Sequence, residues 1–207
     1  MSKIMNVSRH RMGIDGAGIT TLIGFYGCPL TCKYCINDHC HDAETSTAEY
    51  TVEELLNVLS IDEPYYLMTG GGITFGGGEP LLHSTFIHEV CGKMNPEWRR
   101  YIETSLYAEW EQISILLRDI DYWIIDIKDI DTEIYSSYTG HDNKKVLHNL
   151  DGLIKQIGVQ NVCVRVPRIP GYNSAGDCVR NIKYLKERYG QDLKTESFAY
   201  TIPQSVF

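Results

Sequence analysis

The chain predicts an α/β fold built on a parallel sheet. Short apolar runs rich in β-branched and aromatic residues alternate with longer runs of helical period, and glycine-rich or polar clusters follow the short runs. Strand, helix, strand repeated in that order means parallel pairing through right-handed crossovers. With 207 residues and 43% hydrophobic content the chain can bury one sizeable core, so a single domain over residues 1–207 is expected.

Taken in order, residues 20–27 form the first strand, an apolar and β-branched run closed by Gly27. Thr51, with Glu54 three residues on, is a capping box that opens a helix to about residue 59. Residues 72–76 give the second strand and 81–94 the next helix. Strands at 101–105, 122–128, 161–168 and 197–202 then alternate with helices at 109–117, 145–157 and 175–189. Six such units suit either an open doubly wound sheet or an incomplete (β/α) barrel. In both, ligands sit at the carboxyl ends of the strands. There stand Cys28 after the first strand, Gly77-Gly78-Glu79 after the second, Glu103 and Thr104 in the third, Asp126 and Lys128 ending the fourth, and Arg165 and Arg168 on the fifth.

Composition excludes several classes. A net charge of −8 argues against nucleic-acid binding, which needs a basic face. No apolar run approaches a membrane span; Tyr122-Trp123-Ile124-Ile125 is cut short by Asp126. Seven cysteines is an odd count and residues 1–12 lack an apolar leader core, so a reducing cytoplasm is the expected compartment.

The densest chemistry lies in Gly27-Cys28-Pro29-Leu30-Thr31-Cys32-Lys33-Tyr34-Cys35. A cubane 4Fe-4S cluster that only carries electrons is closed by four thiolates, whereas three thiolates on one loop leave an iron open for chemistry. Zinc is the competing occupant, with His39, Cys40 or His41 as fourth ligand. Gly77 and Gly78 lack side chains, so their backbone can approach a ligand closely, and Glu79 follows to orient or balance its charge. Asp126 and Lys128 are two apart on a strand and so point to one side, which in a barrel is the inside. Cys91, Cys163 and Cys178 lack cluster spacing and read as small core residues.

The C-x3-C-x2-C loop with Tyr34 before its last cysteine, together with Gly77-Gly78-Glu79-Pro80, resembles the radical S-adenosylmethionine (SAM) enzymes. Further segments resemble the activating enzymes of glycyl radical enzymes, such as pyruvate formate-lyase activating enzyme. They are Asp15-Gly16-Ala17-Gly18-Ile19, the run from Thr69 to Phe75, Asp126-Ile127-Lys128, Tyr138-Thr139-Gly140, the run from Lys145 to Leu150, and Arg165 with Ile169-Pro170-Gly171-Tyr172.

The resemblance implies a partial (β/α)6 barrel with Cys28, Cys32 and Cys35 holding a single 4Fe-4S cluster, because the interval from Cys35 to Gly77 is too short and too poor in cysteine for more. It implies SAM on the open iron, contacted by Gly77, Gly78, Glu79, Thr104, Asp126, Lys128 and Arg165 and by the backbone of Tyr34. A monovalent cation would sit at Glu103, Thr104 and Asp126. Catalysis would rest on the three cysteines and Lys128. An external one-electron reductant such as flavodoxin or ferredoxin would drive anaerobic cleavage of SAM to methionine and a 5'-deoxyadenosyl radical, which takes hydrogen from a glycine of a partner glycyl radical enzyme. A monomer is the expected state. A radical SAM enzyme acting on a small molecule or peptide, similar to the carboxy-deazaguanine synthases, is the alternative, with a zinc module behind it. Ala17 and Thr20 stand where the family has proline and arginine, Ile36 stands where it often has histidine, and Tyr200-Thr201-Ile202-Pro203 offers no counterpart to a SAM-contacting histidine near the sixth strand.

Overall fold

A computed structural model describes residues 1–200. The chain runs β1 (Ser2–Met12), β2 (Ile19–Phe25), β3 (Ala48–Tyr50), α1 (Val52–Ser60), α2 (Glu63–Thr69), β4 (Gly72–Gly77) and α3 (Ser84–Lys93). It continues with β5 (Arg99–Thr104), α4 (Trp110–Ser114), β6 (Tyr122–Asp126), α5 (Thr132–Thr139), α6 (Lys144–Ile157), β7 (Val162–Arg168), α7 (Ala175–Tyr189) and β8 (Lys194–Ala199). All eight strands form one sheet in the order β3-β1-β2-β4-β5-β6-β7-β8. From β2 to β8 the pairing is parallel, and β1 and β3 add antiparallel strands at one edge.

That order decides between the two architectures left open above. A doubly wound sheet reverses strand order at a switch point and carries helices on both faces. Here the six parallel strands lie in chain order, so right-handed crossovers place every helix on one face, as in a (β/α)6 partial barrel. Side-chain parity agrees. Ile23, Phe25, Ile73, Phe75, Ile102, Trp123, Ile125, Val162, Val164 and Val166 alternate along their strands and join the helices in the apolar core. The opposite parity, including Tyr101, Glu103, Tyr122, Asp126, Arg165 and Glu196, lines cavities on the concave side.

Five expected helices are present with shifted ends. The helix expected at 81–94 begins as a 3-10 turn, Pro80–His83, before α3. The capping box at α1 is formed: the Glu54 N–H donates to Thr51 Oγ1 at 3.2 Å and the Thr51 N–H to Glu54 Oε2 at 2.8 Å. The strand expected at 122–128 stops at Asp126, and Lys128 stays on the same side, bonded to Asp126. The sixth parallel strand starts at Lys194 rather than at residue 197, and the stretch of that expectation from Thr201 to Ile202 lies outside the described residues.

Sequence reading missed β1, β3, α2 and α5. β1 pairs with β2 through two register breaks, between Ile4 and Asn6 and between Ser8 and Arg11, with His10 at φ 58 inside the second. Bulges of this kind break the period of two that a strand is read by. α5 is polar, and only Tyr135, Tyr138 and Thr139 are buried, yet Asp131 caps it by accepting from the Glu133 and Ile134 N–H groups.

Phe75 is fully buried on the outward face of β4, with its ring centroid 6.3 Å from that of Phe25. Phe75→Ala is expected to cost about 3–5 kcal/mol of unfolding free energy. Phe75→Leu should cost clearly less, and urea titration of the two variants checks the order.

Candidate active site

The cysteine loop follows β2 and is held from a distant region of the chain. Two carbonyls at the carboxyl end of α5, which a helix leaves without partners of its own, accept its donors. The Thr31 N–H and hydroxyl donate to Thr139 O at 3.0 and 3.1 Å, and the Lys33 N–H donates to Tyr138 O at 3.1 Å. Gly140 ends α5 in the left-handed region at φ 82, and a Cβ there would lie 2.7 Å from Thr31 Oγ1. This is the structural reason for the Tyr138-Thr139-Gly140 segment singled out above. Behind the loop, the Gly27 N–H donates to Cys40 O at 3.1 Å, and Asn37 Nδ2 reaches Gly77 O at 2.8 Å, joining the loop to the glycine turn after β4.

Cys32 and Cys35 line a cavity of about 670 Å³ at the carboxyl ends of the strands. Gly77, Glu103, Thr104, Asp126, Lys128 and Arg165 line it too, so most of the expected site residues converge. Two ion pairs line it, one across strands and one local. Arg165 Nη1 donates to Glu103 Oε1 at 2.6 Å while its other amino group reaches Ile14 O at 2.7 Å, and Lys128 Nζ donates to Asp126 Oδ2 at 3.0 Å. Burial opposes the Lys128 charge, but Asp126, Tyr200 and Cys32 outweigh it and hold the ammonium well above its ordinary range. Burial also lifts the Glu103 carboxyl, against the pull of Arg165.

Three expectations change in detail. Glu79 does not face the cavity: it is 1% exposed and accepts from Thr104 Oγ1 at 2.5 Å, Ser105 Oγ at 2.6 Å, Ser105 N at 3.0 Å and Leu81 N at 3.2 Å. It is a buried latch between the β4 turn and the end of β5. Burial raises its carboxyl, and these donors act in the opposite sense. Gly78 serves strand packing, since its N–H donates to Phe25 O at 2.9 Å and a Cβ there would sit 2.2 Å from Gly27 O. Gly77, at φ 92, does line the cavity. Tyr34 packs its ring against Tyr138 and Tyr172, with centroids at 6.1 and 5.7 Å, and does not belong to the cavity wall.

Of the three residues expected at a monovalent cation, Glu103 is engaged by the Arg165 guanidinium and the Thr104 hydroxyl is turned to Glu79, while Asp126 keeps a buried oxygen with no partner among the described residues.

A 4Fe-4S cluster and SAM do fit. Cys32 and Cys35 line the cavity and Cys28 stands on the same loop with its thiol against that of Cys40, so one loop offers a thiolate for each of three irons. His41, one of the candidate fourth ligands for zinc, is exposed. Contact with the Cys40 thiol, then burial, raises Cys28, while burial raises Cys32 and pushes Cys35 up to about 11. Such thiols stay protonated until iron displaces the proton. On the SAM side, Asp126 Oδ1 is buried without a partner among the described residues, an acceptor waiting for a donor.

Residues 22–192 match the family model described as the radical SAM superfamily. The chain belongs to the radical SAM superfamily. It is 28% identical to the choline trimethylamine-lyase activating enzyme of Oleidesulfovibrio alaskensis, over 88% of this chain and 77% of that protein. It is 29% identical to the 4-hydroxyphenylacetate decarboxylase activating enzyme of Clostridium scatologenes, over 79% and 72%. The fold is similar to that of Streptococcus suis SuiB bound to S-adenosylmethionine, with a TM-score of 0.66 at 13% identity, covering 86% of this chain and 39% of SuiB.

The structure adds residues that sequence reading passed over. Tyr200 lines the cavity and bonds Lys128, and Ser105 completes the Glu79 latch. The signal for Tyr200 was parity, because it lies two and four residues beyond Phe198 and Glu196 on the inward side of β8. His39 and Cys40 fall on the short turn Asp38–His41, and Cys91 and Cys178 lie in the core. Cys163 is buried but faces inward, along a second cavity of about 490 Å³ near the starts of the strands.

Glu79→Ala would leave two backbone and two hydroxyl donors unmet and is expected to lower unfolding free energy by at least about 3 kcal/mol. Glu79→Gln keeps an acceptor oxygen and should lose less. Chemical denaturation of both variants distinguishes a latch from a ligand contact, which would leave stability unchanged.

Proposed function

We infer that this radical SAM protein is an activating enzyme. It would hold one 4Fe-4S cluster through Cys28, Cys32 and Cys35 and SAM in the adjoining cavity, and act on a glycine of a partner glycyl radical enzyme. The observation that carries the reading is the convergence of Cys32 and Cys35 with Lys128 and the unpartnered Asp126 oxygen in one cavity. The named relatives support the activating role, being themselves activating enzymes. A protein substrate is favoured over a small molecule by the cavity rim. Ile36 and Ile14 line the cavity while 71% and 59% exposed, and Phe198 joins them from β8. The sheet remains unclosed between its β3 and β8 edges.

When bound, the cluster and SAM supply the one-electron chemistry that removes hydrogen from the glycine, driven by an external reductant of the flavodoxin or ferredoxin kind. The chain's role is to bind, orient and enclose. Lys128 and Asp126 hold a charged ligand in a fixed direction, Arg165 closes the floor beneath it, and the α5 terminus keeps the cysteine loop from shifting. The protein would work as a single-domain cytoplasmic monomer.

Anaerobic reconstitution should yield about four irons per chain, the content of one cubane. On reduction with SAM present, the wild type should release 5'-deoxyadenosine, and Cys32→Ser should release almost none. A reproducible iron content of eight or more, or product formation by Cys32→Ser equal to wild type, would overturn the reading.

A further inference from the structure

Tyr200 follows β8 and is fixed there by its own N–H, which donates to Arg168 O at 2.9 Å. Its ring lies against Tyr138 and Phe198, with centroids at 6.1 and 5.6 Å. Its hydroxyl oxygen accepts from Lys128 Nζ at 2.6 Å. Because that oxygen is the acceptor in this bond, the tyrosine's own O–H remains to donate, and no acceptor for it occurs among the described residues. Lys128 is in a similar position. It is 7% exposed, carries three N–H donors, and spends one on Asp126 and one on Tyr200. Two unspent donors therefore lie side by side in the wall of the cavity that Cys32 and Cys35 also line. Beyond Lys128, Asp126 presents a buried oxygen with no donor among the described residues.

This is a charge pattern with a definite complement. Two adjacent donors, one of them an ammonium, suit the two oxygens of a carboxylate. An orphan carboxylate oxygen across the same ammonium suits the N–H groups of an amine. A carboxylate and an amine on neighbouring atoms make an α-amino-acid head group. Resting on the SAM reading above, we propose that Tyr200 is a ligand-contacting residue of this chain, donating its hydroxyl to the methionine carboxylate of SAM beside Lys128, with Asp126 receiving the α-amine. Tyr200 then fills, from the end of the sixth parallel strand, the position where the resemblance led one to look for a histidine.

The test is equilibrium binding to the reconstituted, cluster-bearing, unreduced protein, by anaerobic calorimetry, with SAM and decarboxylated SAM as probes. Tyr200→Phe keeps the ring that packs on Tyr138 and removes only the hydroxyl. It is expected to weaken SAM binding about ten- to a hundredfold, the worth of a hydrogen bond to a charged group. The same variant should bind decarboxylated SAM as the wild type does, since the group that the hydroxyl reads is gone. Equal weakening of both probes would make Tyr200 a packing residue and overturn the inference, as would unchanged binding of both. Failure of the wild-type, cluster-bearing protein to bind SAM would overturn the functional reading and this inference together, whereas the first two outcomes leave the functional reading standing.

Discussion

Charge placed on the inner face of a parallel sheet has to be neutralised where it stands, because the low-dielectric wall behind it offers no hydration. The concave side of this barrel is governed by that constraint. Glu103 is matched by Arg165 from two strands away, Asp126 by Lys128, and Asp15, fully buried, by Arg11. The Arg165–Glu103 pair ties β7 to β5 across the cavity, while the Asp126–Lys128 and Arg11–Asp15 pairs are local and fix the ends of β6 and β1. Removing one member leaves its partner charged and buried, which costs more than the pair contributes.

Support for the cysteine loop comes from hydrogen bonds rather than ion pairs. The carbonyls at the end of α5, the Asn37 amide on Gly77 O, and the Glu79 latch across Thr104 and Ser105 leave the loop and the glycine turn little room to move independently. Asn149 gives similar support to the segment after β5, with its Nδ2 donating to Leu106 O at 2.9 Å and Ala108 O at 3.0 Å, where Leu106 sits at φ 59. Much of what distinguishes the chain's motifs is therefore scaffolding around the ligand, made of backbone groups that need partners once they are buried.

This explains what could be read from the sequence and what could not. The six parallel strands were legible because their outward residues, such as Ile73, Phe75, Trp123 and Ile125, are apolar at a period of two and lie next to clear helical runs. The cysteine spacing and the shared parity of Asp126 and Lys128 were legible because both are local. β1 was not, since two bulges interrupt its alternation and its polar residues face the cavity. Glu79 was misjudged because nothing local says that Thr104 and Ser105, on another strand, will satisfy it. Tyr200 was passed over because its role depends on Lys128, 72 residues away. Pairing of this kind belongs to the fold, and a one-dimensional reading meets only one partner at a time.

The attachment of the cysteine loop to α5 also sets an order of events during synthesis. Thr31 finds its acceptor 108 residues later, at Thr139. While the chain emerges from the ribosome amino end first, the three thiols are exposed on an unanchored segment until α5 has emerged and docked. Closing so long a loop is slow compared with forming the local hairpin of β1 and β2. The cysteine loop is thus made more than a hundred residues ahead of the carbonyl that fixes it, and its three thiols reach a defined arrangement only once α5 has folded against them.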